Sequence, residues 1–172
     1  MHRIGTAFLA VAVLSLVAMA RPETKVEVKG VHICCPQCEK AIGKVLEDAG
    51  AKGTCSKDTK TVSITATDAK GAQKALDGLA AAGFHGDTGS KDLVIKDDSG
   101  AKEGKVTTLT LTGIHNCCGA CCKAIKEIVK KVDGVESDDT KPKETTFTVK
   151  GNFDAAKLVK ALNDAGLHAK VK

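Results

Sequence analysis

The stretch Gly-Val-His-Ile-Cys-Cys-Pro-Gln-Cys at residues 30–38 returns as Gly-Ile-His-Asn-Cys-Cys-Gly-Ala-Cys at residues 113–121. A glycine, a histidine and three cysteines keep their places in both copies. The correspondence continues without a net gap: Ala41-Ile42 aligns with Ala124-Ile125, Lys74 with Lys157, and Ala82-Gly83-Phe84-His85 with Ala165-Gly166-Leu167-His168. A chain repeated in this way is read as two copies of one unit of roughly 70 residues, a size within the range that folds alone. The expected units are residues 25–96 and 105–172. Between them, residues 97–104 (Asp-Asp-Ser-Gly-Ala-Lys-Glu-Gly) are polar and punctuated by glycine, the composition of a short flexible linker.

The hydrophobic period changes in the same order in both copies. Val26 and Val28 alternate with charged residues, and Leu109 and Leu111 alternate with threonines, the pattern of a half-buried strand. After each cysteine loop, Ile42, Val45, Leu46 and Ala49 fall at helical spacing, as do Ile125, Ile128, Val129 and Val132. Val62-Ser63-Ile64 and Thr145–Val149 read as strands by alternation and β-branching, each with a weaker strand before it. A second helix is expected around Ala72–Ala82 and again around Ala155–Ala165, each stopped by the following glycine. A last short strand is expected to begin at Phe84 and at Leu167. Leu93-Val94-Ile95 is left over and is read as an extension of the first unit's final strand. The resulting order is β-α-β-β-α-β twice, an α+β fold of two tandem ferredoxin-like sandwiches.

Residues 1–20 carry Arg3, an apolar run from Ile4 to Ala18, and Ala18-Met19-Ala20, the layout of a secretory signal cut after Ala20. The run is shorter than the ~20 residues a membrane span needs. The expected product is exported, periplasmic or secreted, with no membrane attachment after cleavage.

Cys35 and Cys38 bracket the start of the first helix, with Pro36 at a position where its missing N–H costs nothing. Cys118 and Cys121 repeat the arrangement, with Gly119 in place of proline. Both pairs are Cys-x-x-Cys at a helix N-terminus, where free backbone N–H groups and the helix dipole favour thiolate over thiol. Paired thiolates select soft ions: Cu(I) first, with Zn(II) or Hg(II) as alternatives. Cys34 and Cys117 precede the pairs, and His32 and His115 recur; all four are candidate additional ligands, alongside the simpler readings of packed thiols and turn-capping imidazoles. His85 and His168 are weaker candidates. Cys55 and Cys122 have no counterpart in the other copy and are read as bystanders.

These residues resemble the heavy-metal-associated domain, a family carrying Gly-Met-x-Cys-x-x-Cys between strand one and helix one of a ferredoxin-like fold. The resemblance spans most of residues 25–88 and 105–172 and implies one metal ion per Cys-x-x-Cys: Cys35 with Cys38, and Cys118 with Cys121. It also implies handing of the ion to or from a partner protein by thiolate exchange. The family's methionine is absent, with Val31 and Ile114 the nearest apolar substitutes, and the interval from glycine to the first cysteine of the pair is two residues longer. Phe84 matches an aromatic position after the family's second helix; Leu167 does not.

Two other uses of the cysteines stay open at the level of sequence. One is thiol–disulfide exchange, although none of the three prolines precedes a final strand as a thioredoxin-like order requires. The other is an interaction module stapled by disulfides, as an even cysteine count in an oxidising compartment allows. Nothing indicates an enzyme: the carboxylates are dispersed, and neither a nucleophile motif nor a phosphate-cradling loop occurs. Nucleic acid is also disfavoured, since the chain has no Trp or Tyr and its 26 basic residues are interleaved with 21 acidic ones.

Overall fold

The structure is a computed structural model and describes residues 22–172; the expected signal segment, residues 1–20, lies outside them. The first half comprises β1 (Thr24–Lys29), α1 (Pro36–Ala49), β2 (Lys52–Ser56), β3 (Thr61–Ala66) and α2 (Ala69–Ala81). The second comprises β4 (Lys105–Thr112), α3 (Gly119–Val129), β5 (Val135–Asp138), β6 (Phe147–Asp154), α4 (Ala155–Asp164) and β7 (Lys170–Val171). Each half is an antiparallel sheet with two helices on one face, in the orders β1-β3-β2 and β5-β6-β4-β7.

Register follows from the alternation. Val26 lies opposite Ile64 and Val28 opposite Val62, while Leu109 faces Val149 and Leu111 faces Phe147. All eight side chains are buried under the helices. Ile42 and Leu46 of α1, and Ile125 and Val129 of α3, supply the helix side of each core. Burying a side chain of this size contributes roughly 1.5–3 kcal/mol over leaving it in water. Asp68 and Asp154 cap α2 and α4, accepting hydrogen bonds from the Gly71 N–H at 2.7 Å and the Lys157 N–H at 3.0 Å. The Asp68 cap moves the start of α2 ahead of the position that spacing alone suggests.

Three expectations change. Phe84 and Leu167 do not each open a strand of their own half; they pair with one another as an antiparallel bridge between the halves, and both are fully buried. The first sheet keeps only a Lys29–Asp87 bridge where a fourth strand was expected, whereas β7 does pair with β4. Leu93-Val94-Ile95 is not a strand: the Gln73 side chain of α2 donates to the Val94 carbonyl at 2.8 Å and accepts from its N–H at 3.3 Å, and Ile95 packs into the first core. Residues 97–104 are not a free tether either. The Ser99 carbonyl accepts from the Val171 N–H at 2.8 Å, and Asp98 pairs with His168 and Lys170. The edge strand β7 needs backbone partners, and this segment supplies one. No helix among the described residues is long and apolar enough to cross a membrane.

Candidate metal centre

Each cysteine loop leaves its strand through a glycine, Gly30 or Gly113, then anchors itself with a buried aliphatic residue. Val31 and Ile114 are both fully buried, so they fill the space under the loop. Cys35 and Cys118 are the N-cap residues of α1 and α3, both with extended backbone and φ of −156°. An N-cap side chain ordinarily accepts from the first turn's N–H groups; neither cysteine makes a full cap hydrogen bond, although the Cys118 sulfur faces the N–H groups of Ala120 and Cys121. Cys38 and Cys121, one turn into their helices, are fully buried, while Cys34, Cys35, Cys117 and Cys118 are half-buried around them.

Within each half the Cys-x-x-Cys sulfurs converge: Cys35–Cys38 at 3.7 Å and Cys118–Cys121 at 3.9 Å. The shortest approaches nonetheless cross between the halves. Cys34 lies 3.3 Å from Cys121 and Cys35 lies 3.5 Å from Cys117, while Cys38 is 3.8 Å from Cys117 and 4.0 Å from Cys121. Cys35 and Cys118 are 3.8 Å apart. All of these cysteines are free thiols, far from the ~2.05 Å of a disulfide. Metal–sulfur bonds of ~2.3 Å at tetrahedral angles place neighbouring sulfurs ~3.8 Å apart, the scale of the spacings here.

The packing that produces this convergence is reciprocal. Gly83, which follows α2, accepts from the His168 N–H at 2.9 Å; the Gly166 carbonyl, after α4, accepts from the N–H groups of His85 at 3.0 Å and His32 at 3.2 Å. Both glycines have left-handed backbone, with φ of 84° and 83°. A Cβ on Gly83 would run into the backbone of Gly113–His115, and one on Gly166 into that of Gly30–His32. Each half thus seats the other half's cysteine loop against the glycine that ends its own second helix. Phe84 stacks on His115, and His85 on His168 across the same interface.

The thiols differ in acidity. Cys121 hydrogen-bonds to Cys38 and holds it well below the ordinary thiol range, with His115 acting in the same direction and burial acting against it. Cys121 is correspondingly raised by that bond to Cys38 and by burial. Burial is also the leading cause of the upward shift at Cys34, to about 12, and at Cys117. Cys118 is drawn down to about 7, first by the Cys121 N–H and then by that of Ala120, as expected at a helix start. The Nε2 atoms of His32 and His115 are buried without a hydrogen-bond partner. Cys122 turns away and contacts the Thr140 carbonyl at 3.7 Å.

The four Cys-x-x-Cys sulfurs and the four candidate additional ligands therefore meet in one place, whereas the weaker candidates His85 and His168 belong to none of the close donor groups. Although each directly precedes a Cys-x-x-Cys pair, Cys34 reaches Cys38 at 3.8 Å and Cys117 reaches Cys121 at 3.6 Å. Sequence reasoning missed the joining of the two loops. The signal available for it was the repeated Gly-Phe/Leu-His after each second helix, facing the repeated Gly-Val/Ile-His.

Soft donors gathered at two helix starts on antiparallel sheets define a heavy-metal-binding module of α+β type. Residues 110–168 match the heavy-metal-associated domain. An uncharacterized protein of Haemophilus influenzae is 34% identical over 67 residues, covering 38% of this chain and 96% of that relative, and a second from the same organism matches to the same extent. The chain belongs to the heavy-metal-associated domain family. Among solved structures, the oxidized MerP of Ralstonia metallidurans CH34 is 33% identical, covering 40% of this chain and 99% of that one, with a TM-score of 0.33. The N-terminal soluble domains of Bacillus subtilis CopA are 19% identical, covering 90% and 97%, with a TM-score of 0.35.

Proposed function

We propose that this is an exported binder of a thiophilic ion, Cu(I) foremost with Zn(II) and Hg(II) as competitors, that sequesters the ion or hands it to a partner protein. The observation that carries this reading is the convergence of six free sulfurs at the starts of α1 and α3. Soft thiolates in a partly buried site favour soft cations over Ca(II) or Mg(II). Export rests on the signal-like residues 1–20, and the two-unit organisation on the internal repeat.

The arrangement suits exchange as well as storage. Cys118 is half-buried and drawn down to about 7, so at neutral pH a large fraction is thiolate and able to attack a metal held by a donor. The buried Cys38 and Cys121 then take the ion out of water. Release reverses the order, as an acceptor thiolate displaces the rim sulfurs first.

The test is anaerobic titration of the reduced protein with Cu(I), Zn(II) and Hg(II) separately, competed against a chelator of known affinity. Tight Cu(I) binding that is lost or halved in Cys35→Ser/Cys38→Ser supports the reading. Unchanged binding in that variant, together with loss of dithiol–disulfide exchange, would give the site to redox chemistry instead.

A further inference from the structure

We infer that the two Cys-x-x-Cys pairs are one centre: a bridged tetranuclear Cu(I)–thiolate cluster spanning both halves, with Cys34 and Cys117 as obligatory ligands and His32 as a nitrogen ligand. The inference rests on the thiophilic reading above and replaces its simplest form, one ion per pair.

Four groups of candidate ligands lie with their donor atoms close enough to share an ion: Cys34, Cys35 and Cys38; Cys35, Cys117 and Cys118; Cys38, Cys117 and Cys121 with His115; and Cys34 and Cys121 with His32. Every sulfur but Cys118 belongs to two of these groups. No division of the six sulfurs into two separate sites respects that sharing. Cys34 and Cys117, Cys35 and Cys121, and Cys38 and Cys118 share none of these groups, as the three opposite pairs of a six-sulfur cage would. Six points in three opposite pairs form an octahedron; three of the groups occupy alternate faces, and the fourth, Cys34 and Cys121 with His32, spans one edge of the remaining alternate face. Here three ions would have three thiolates, the fourth Cys34, Cys121 and His32, and Cys118 would bind a single ion. In the regular form of such a cage each ion has three thiolates and each thiolate two ions. This is the arrangement by which Cu(I), content with trigonal sulfur coordination, builds bridged clusters. One edge is open, Cys34 to Cys118, and the face it borders is the one His32 completes. The unpartnered, buried Nε2 of His32 is a donor atom in want of a partner at that face.

Charge points the same way. Six thiolates carry six negative charges in a site whose two innermost sulfurs have no contact with solvent. Two Cu(I) ions would leave four of those charges uncompensated or require several thiols to keep their protons. Four ions reduce the excess to two. Uncompensated charge in a buried site is strongly unfavourable, so filling is expected to be cooperative. Each thiol loses its proton as sulfur bonds to copper, with no change of oxidation state.

The experiment is Cu(I) titration of the reduced full chain with X-ray absorption at the copper edge, on wild type, Cys34→Ser/Cys117→Ser and His32→Ala, with circular dichroism as the check on folding. Expected are about four Cu(I) per chain taken up cooperatively, a short metal–metal scattering path, and proton release that exceeds two per chain. The Cys34→Ser/Cys117→Ser protein keeps both Cys-x-x-Cys pairs, yet should lose the metal–metal path and bind at most two ions. His32→Ala should lose the nitrogen contribution and one equivalent. Filling that stops at two ions without a metal–metal path, unaffected by Cys34→Ser/Cys117→Ser, overturns the cluster and leaves the thiophilic reading intact. A folded wild type that binds no Cu(I) overturns both.

Discussion

The Phe84 ring of the first half lies on the His115 imidazole of the second, centroids 4.2 Å apart and planes inclined by 28°. His115 belongs to a cysteine loop, and Phe84 follows the helix-ending Gly83, so this contact ties the cysteine loop of one half to the helix end of the other. Its counterpart by repeat, Leu167, is equally buried but offers no ring. Phe84→Leu keeps an apolar side chain and removes the stack, which contributes about 0.5–1.5 kcal/mol beyond area burial. The chemical denaturation midpoint should fall by that order, and the His115 ring resonances should broaden or shift. A variant with unchanged stability and unchanged His115 resonances would show the stack to be incidental.

Gly166 tests the docking of the halves directly. Its φ of 83° is strained for any L side chain, and an added methyl meets the backbone of Gly30–His32. Gly166→Ala should therefore destabilise the fold by more than the ~1 kcal/mol of a simple backbone penalty and separate the two loops. Small-angle scattering should show a larger radius of gyration. Oxidative trapping of Cys34 with Cys121, 3.3 Å apart in the native chain, should drop sharply.

Acid should weaken the metal-free protein at a pH set by two histidines. Burial lowers both His32 and His85 below the ordinary 6.5, and His85 also feels His168 across the interface. Above 6.5 both are neutral, folded or unfolded, and the contribution is complete. As pH falls through 6.5, the unfolded chain takes up protons that the folded chain resists, so stability declines. Melting temperature of the reduced protein should drop between pH 7.5 and 5.5, and His85→Gln should flatten part of that slope. A flat profile in the wild type would contradict it.

Cys118 should be the most reactive rim thiol at neutral pH. Its titration near 7 comes from the first N–H groups of α3, so alkylation by iodoacetamide should rise through pH 7 and level off above it. Cys34, pushed up to about 12 by burial, should remain slow across the same range. Peptide mapping of the alkylated, metal-free protein distinguishes the two.

Cys122→Ser serves as the internal control. Its sulfur contacts the Thr140 carbonyl and none of the clustered sulfurs. Metal stoichiometry should be unchanged, and any loss should appear only in stability.

Much of this molecule is legible in the chain itself. The period-2 runs at Val26/Val28 and Leu109/Leu111 and the helical stripes at Ile42/Leu46 and Ile125/Val129 place strands and helices, because burial of one face is a local property of spacing. The Cys-x-x-Cys pairs are legible for the same reason: two sulfurs one helical turn apart converge within a single element. Element ends were less legible. Phe84 and Leu167 look like strand starts by pattern, but their best apolar partners proved to be each other. Residues 97–104 look unattached by composition, but β7 has an open edge for them to satisfy.

Sequence alone determined two similar halves, each carrying a Cys-x-x-Cys at a helix start, because those features follow from neighbours a few residues apart. Only the tertiary structure decided that the loops face one another. That depends on Gly83 and Gly166 admitting a foreign backbone where any Cβ would collide, and on Phe84 meeting His115 across a distance in sequence that no periodicity spans. The pairing places Cys34 beside Cys121 and turns two Cys-x-x-Cys pairs into six neighbouring sulfurs.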